Sequence, residues 1–143
     1  KYAIIPSVGV TNCINICSIL HGWGCRYIAL FDYDKEGVEK GGEFLRNEMM
    51  FEYKHQYCYV KEVCQEDIDE KKYKTETFMI EDVMTRDEID RYCEQTGTSK
   101  EIGKPLMAKL MSNAIEEGTY CIGEKCKANF LQLFERIFSC FKE

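Results

Sequence analysis

The stretch Tyr27-Ile28-Ala29-Leu30-Phe31-Asp32-Tyr33-Asp34-Lys35-Glu36-Gly37 decides the fold. An apolar run of strand type ends in two carboxylates one residue apart, then a glycine, then a segment of helical character. In an open α/β sheet, ligands gather outside the carboxyl ends of the strands, so acid delivered there faces a cleft. Strand side chains alternate, which puts Asp32 and Asp34 on one face and turns Tyr33 to the other. Two carboxylates this close repel unless a cation lies between them or one takes up a proton. Magnesium suits such a pair, because it takes one or two carboxylates and keeps water or substrate phosphate in its other positions. The bland alternative is that Asp32 cross-links a loop and Asp34 caps the next helix.

Upstream of this stretch, Tyr2-Ala3-Ile4-Ile5 reads as a short apolar strand closed by Pro6-Ser7. After the loop Val8-Gly9-Val10, Thr11 or Asn12 is a good N-cap for a helix running to about His21 and stopped by Gly22. Gly9 either supplies a backbone conformation or close approach that a side chain forbids, or only makes the turn. His21 suits the C-terminal end of that helix, where the dipole favours positive charge. Trp23 is most simply a core or edge residue that covers the sheet.

Downstream, Glu36 to about Met50 has helical periodicity, with Val38, Phe44, Leu45 and Met49 on one face and a weak point at Gly41-Gly42. A third strand runs from Gln56 to Val60. The resulting β-α-β-α-β order predicts a parallel sheet with right-handed crossovers. Residues 61–74 mix charges in the manner of a solvated loop, and carry no assigned chemistry.

A second acidic pair, Glu81-Asp82, ends the short apolar run Phe78-Met79-Ile80. Either residue could reach the cleft of Asp32 and Asp34, or merely favour the N-terminus of the next helix. That helix opens at Thr85 as N-cap with Glu88 as box partner, runs to about Glu94, and is closed by Gly97. Another begins at Gly103-Lys104-Pro105, with Leu106, Met107, Leu110, Met111, Ala114 and Ile115 as its apolar stripe. Lys104 sits at its entrance, where an ammonium can reach an anion, and Lys109 on its outer face. Residues 128–141 form an amphipathic helix suited to docking on the core or on a further part of the protein.

The 143 residues fit one typical domain, and 45% hydrophobic content with eight Phe, nine Tyr and one Trp predicts a globular core. Because residue 1 is Lys and stands almost at the start of a strand, we expect a fragment of a longer protein. The net charge of −6 does not advertise nucleic-acid binding through a basic face. A carboxylate cluster that holds divalent metal is negative by design, however, and the metal neutralises it locally. The nine cysteines are odd in number, several sit in apolar patterns, and no secretory segment is seen, which predicts a reducing cytoplasm. Their spacing argues against structural zinc. No apolar run approaches the roughly 20 residues of a membrane span.

Four elements taken together carry a resemblance: Ile5-Pro6-Ser7-Val8-Gly9-Val10-Thr11-Asn12, Phe31-Asp32-Tyr33-Asp34-Lys35-Glu36-Gly37, Ile80-Glu81-Asp82, and Gly103-Lys104. The series resembles the Toprim domain of OLD-family (overcoming lysogenization defect) nucleases, phage and bacterial proteins that usually join an ABC-type ATPase to a C-terminal Toprim nuclease. The D-x-D-x-x-G element is common to Toprim proteins generally; the later acidic and lysine elements point to the OLD type. This resemblance implies an α/β fold, a Toprim-like (Rossmann-like) mostly parallel sheet flanked by helices, with a helical C-terminal part. It implies a catalytic domain over residues 1–116, its N-terminal strand truncated, and a helical extension over 117–143 packed on the same domain.

The activity so implied is Mg2+- or Mn2+-dependent hydrolysis of DNA phosphodiesters, in a cytoplasmic phage-defence setting. Asp32, Asp34 and Glu81 would hold metal, with Asp82 an alternative to Glu81. Lys104, or else Lys109, would stabilise charge on the phosphate, and Gly9 would line the cleft. The implied partners are DNA and the ATPase part of the same polypeptide, with homo-oligomerisation left open and no membrane. The family's glutamate at the end of its first strand lies before the start of this sequence, and no G-x-x-x-x-G-K-[ST] loop is present, so the chain alone is expected to lack one ligand and nucleotide binding. Two other classes compete. A haloacid-dehalogenase-like phosphatase also places D-x-D after a strand, although Glu36 stands where it usually has Thr or Val; a non-catalytic interaction module would hold no metal.

Overall fold

Strand β1 (Ala29–Phe31) lies parallel to strand β2 (Tyr57–Tyr59), in the register Ala29↔Tyr57, Leu30↔Cys58 and Phe31↔Tyr59. The Val60 amide extends the pairing to the Phe31 carbonyl at 2.9 Å. This computed structural model describes residues 2–42 and 57–141. It is helix-rich with one small two-stranded parallel sheet, an α/β arrangement in the coarse sense. The chain divides into two units, Lys1–Met79 with Leu133–Glu143, and Ile80–Gln132.

In the first unit, helix α1 (Val10–Gly22) packs on β1 and on a wide-turned π-helix, Glu36–Gly42. Its N-cap is Gly9 rather than Thr11 or Asn12; the Asn12 side chain instead donates to the Val8 carbonyl at 2.7 Å. The predicted strand at 2–5 has no regular structure, and Ile4 is 84% exposed. A strand persists only through a ladder partner, and among the described residues the sheet contains β1 and β2 alone. Apolar content without such a partner leaves the segment irregular, with Tyr2 against Phe138 and Phe141 at ring distances of 4.8 and 5.3 Å. Trp23, predicted to cover the sheet, is exposed. The predicted continuation of the second helix through Phe44, Leu45 and Met49, and the strand start at Gln56, lie outside the described residues.

The core of this unit is aromatic. Tyr33 is fully buried and meets Tyr59 and Tyr73 edge-on, at 6.1 and 6.4 Å between ring centroids. Such pairs contribute about 0.5–1.5 kcal/mol beyond area burial. Tyr73 comes from the stretch predicted to be a solvated loop. That stretch folds instead into helix α2 (Gln65–Asp69) and a single turn, Lys72–Lys74. The cause is local pairing: Asp67 accepts from the Cys64 amide at 3.3 Å and pairs with Lys72 at 2.8 Å. Lys72 and then Cys64 pull the Asp67 carboxyl down to about 2.

In the second unit, a turn at Ile80–Val83 leads to helix α3 (Arg86–Thr96), followed by α4 (Lys104–Glu116) and α5 (Glu124–Ser139), whose residues from Leu133 belong to the first unit. Thr85 caps α3 as predicted, accepting from the Glu88 amide at 3.3 Å, and Gly97 closes it. Pro105 stands in the first turn of α4, and Met107, Met111 and Ala114 of its stripe are buried with Tyr92, Cys93 and Tyr120. Leu106 is half-exposed.

The Glu88 side chain does not return to Thr85. It is buried, and its Oε1 accepts from the Tyr120 hydroxyl at 2.6 Å, Arg91 at 2.5 Å and the Gly123 amide at 3.0 Å. Burial pushes its carboxyl up, but Tyr120, Arg91 and the Gly123 amide outweigh it and hold the group below its usual range. The stabilisation is therefore complete above about pH 4.5, the ordinary value, and fades as acid protonates Glu88 below it. Tyr120→Phe is expected to cost about 1.5–3 kcal/mol in chemical denaturation, as for a lost hydrogen bond to a charged group. Glu88→Ala, which strands three donors, should cost more.

Candidate functional site

Beyond β1 the alternation of burial continues: Phe31 and Tyr33 are buried, while Asp32 and Asp34 are half-buried between and after them. Tyr33 is fixed by an antiparallel bridge to Phe78, with amide-to-carbonyl distances of 2.8 and 2.9 Å in the two directions. Tyr33 is turned into the core, and the aspartates on either side of it in the chain are both half-buried.

Asp34 has a structural task. Its Oδ1 accepts from the Gly37 amide at 2.7 Å, and its carbonyl accepts from the Val38 amide at 3.0 Å, so it caps the π-helix. Gly37 is pressed against Asp32. A Cβ placed on Gly37 would collide with the Asp32 carbonyl oxygen and lie 3.3 Å from Asp34 Oδ1. The glycine of D-x-D-x-x-G is thus demanded by close backbone approach. Gly41, which sequence alone marks as a weak point of the helix, similarly abuts the Phe31 ring, with a built Cβ at 2.8 Å.

Two neighbouring carboxylates are engaged elsewhere. Glu36 pairs with Lys40 at 3.7 Å, an exposed contact. Glu39 accepts from the Tyr73 hydroxyl at 3.1 Å and pairs with Lys74 at 3.4 Å. Burial pushes the Glu39 carboxyl up, but Tyr73 and Lys74 hold it below its usual range. Sequence reasoning missed Tyr73 and Lys74 as the partners that occupy this carboxylate. The available signal was an aromatic residue set between lysines in a stretch otherwise too polar for a core.

The remaining predicted residues are spread along the chain. Gly9 caps α1 at φ 79°, ψ 160°, and a Cβ there would meet nothing within 4 Å, so the positive φ alone calls for glycine. Glu81 is half-buried in the turn at 80–83, beside the exposed Asp82. Lys104 is the exposed first residue of α4, and Lys109 is exposed further along it. Gly9, Asp32 and Asp34 belong to the first unit; Glu81, Asp82, Lys104 and Lys109 belong to the second.

Among the described residues, no three of His, Cys, Asp and Glu converge in a group that could hold a metal ion. The pair Asp32 and Asp34 is nonetheless an all-oxygen donor set of the kind that magnesium or manganese completes with water and phosphate. No protein-family model matches this chain, nor does any curated protein or solved structure.

Gly37→Ala is expected to destabilise the first unit by about 1–3 kcal/mol in urea denaturation, the cost of forcing a methyl group into a packed site. Gly22→Ala, where an added Cβ meets nothing within 4 Å and the backbone is helical, should not destabilise and serves as the control.

Proposed function

We propose that this chain is the Toprim-type nuclease part of an OLD-family ATPase-nuclease, a Mg2+- or Mn2+-dependent enzyme that hydrolyses DNA phosphodiesters. The observation that carries this reading is the D-x-D-x-x-G stretch itself. It follows the carboxyl end of a parallel strand, its two aspartates are half-buried on either side of a buried tyrosine, and its glycine is sterically required. In this reading Asp32 and Asp34 hold the metal, Asp34 through the oxygen not bonded to Gly37. Glu81 supports a second metal position, and the Lys104 ammonium steadies negative charge on the phosphate; both roles rest on the resemblance. When bound, the cations would supply the Lewis acidity and the hydroxide for phosphodiester cleavage. DNA would engage a carboxylate site neutralised by metal, which reconciles the partner with the net charge of −6. No helix among the described residues is long and apolar enough to cross a membrane.

A second reading, in which the acidic pair only shapes the turn of a non-catalytic module, is favoured by the bond from Gly37 to Asp34. Asparagine separates the two, because it retains a cap acceptor while losing the charge. Calorimetric titration with Mn2+ should show binding by the unaltered chain and none by Asp32→Ala or Asp34→Asn. Asp34→Asn should keep nearly full stability, whereas Asp34→Ala should also lose about 1 kcal/mol through the lost cap. If Asp34→Asn binds Mn2+ as tightly as the unaltered chain, Asp34 is a cap alone and the metal assignment fails. Nicking of supercoiled plasmid by the parent protein should follow the same pattern.

A further inference from the structure

We propose that Lys61, just past the carboxyl end of β2, binds a backbone phosphate of the DNA beside the one that is cleaved. The inference rests on the metal-nuclease reading above and adds a substrate contact to it. Ligands gather outside the carboxyl ends of parallel strands, and the two strands of this sheet end together. The Val60 amide bonds to the Phe31 carbonyl at 2.9 Å, so the chain after β2 runs level with Asp32. The next residue, Lys61, comes alongside Tyr33, which stands between the two aspartates in the chain. Its Nζ lies 5.1 Å from the centre of the Tyr33 ring.

Two features set this ammonium apart from other lysines of the first unit. The first is a fixed seat. Tyr33 is fully buried and bonded to Phe78 in both directions, at 2.8 and 2.9 Å, so the ring beneath Lys61 is held in place. Attraction to the ring face restrains the ammonium before any phosphate arrives, which lowers the ordering cost of binding one. The second is a replaceable partner. Among the described residues Lys61 pairs with Glu76 alone, at 3.3 Å, through side chains 36% and 59% exposed. An exposed pair of this kind contributes little to stability, so a phosphate oxygen can take the place of Glu76 while the fold stays intact. Lys72, by contrast, is held by both Asp67 and Glu70, and Lys74 pairs with a Glu39 that Tyr73 also binds.

An ammonium recognises phosphate as a point charge with three donors. Such a contact fixes the position of a DNA strand and carries no sequence information. The metal at Asp32 and Asp34 would hold the scissile phosphate, and Lys61 would set the register of the strand through its neighbour.

The test measures binding of a short fluorescein-labelled DNA duplex to the full chain in Mn2+, by anisotropy across a salt series. Lys61→Gln should weaken binding ~5-fold and reduce the slope of log Kd against log salt by about 1, as for one lost phosphate contact. Lys61→Arg should stay within ~2-fold of the unaltered chain, because a guanidinium also binds phosphate. Glu76→Gln should tighten binding ~2-fold by removing a competitor, and that gain should vanish when Lys61 is already Gln. Lys71→Gln, at an exposed lysine without an ion pair among the described residues, should leave affinity unchanged. The proposal is overturned if Lys61→Gln binds as tightly as the unaltered chain, if Lys71→Gln weakens binding as much, or if the Glu76→Gln gain persists without Lys61. Calorimetric titration of the unaltered chain with Mn2+ keeps two failures apart. Mn2+ binding with an indifferent Lys61 removes this contact alone, whereas no Mn2+ binding removes the nuclease reading and the contact with it.

Discussion

The first unit depends on the approach of the Gly37 backbone to the Asp32 carbonyl. Within six residues the chain leaves a parallel strand, reverses, and enters a π-helix, and only a residue without Cβ allows the two backbone segments to lie so close. Three further features follow from that turn. The Gly37 amide reaches Asp34 Oδ1, Val38 is delivered into the core, and Gly41 comes to rest against Phe31. A side chain at position 37 would disturb all three together, because they share one short covalent path.

A different device organises the second unit. Its helices bury methionine and tyrosine, but Glu88 ties α3 to the segment between α4 and α5. A buried carboxylate is costly unless its lone pairs are filled, and here one oxygen has three donors. The interaction selects one packing among those that an adaptable apolar core would tolerate.

The elements legible in the sequence were those with a local cause. Thr85, Gly97 and Pro105 mark helix ends through capping and backbone chemistry that need no distant partner, and each is found at its predicted boundary. The parallel pairing of the strands on either side of the second helix followed from alternation of type. What escaped depends on partners far along the chain. The apolar residues 2–5 lack a ladder neighbour, and Tyr73 is drawn into the core by Tyr33 from a segment whose composition indicates solvent. Glu88 was legible as a box partner for Thr85, yet Tyr120 and Gly123, more than thirty residues later, claim its carboxylate. For the candidate site, the half-burial of Asp32 and Asp34 around a buried Tyr33 was legible because the period of a strand fixes it.

The cap on Asp34 is compatible with the proposed role of Asp34 as a metal ligand, and would assist it. A flexible carboxylate loses rotamer freedom when it binds a cation, and that loss weakens binding. Asp34 has already lost it, since the Gly37 amide holds Oδ1 and Gly37 is itself fixed against Asp32. The turn therefore orients one carboxylate through the backbone of the residue that packs on the other. The same helix N-terminus carries partial positive charge, which favours the ionised carboxylate but opposes an incoming cation. Under the proposed metal reading, repulsion between Asp32 and Asp34 would act in a cation's favour and the field of the short helix against it. A neutral asparagine at position 34 removes the repulsion and leaves the helix field in place.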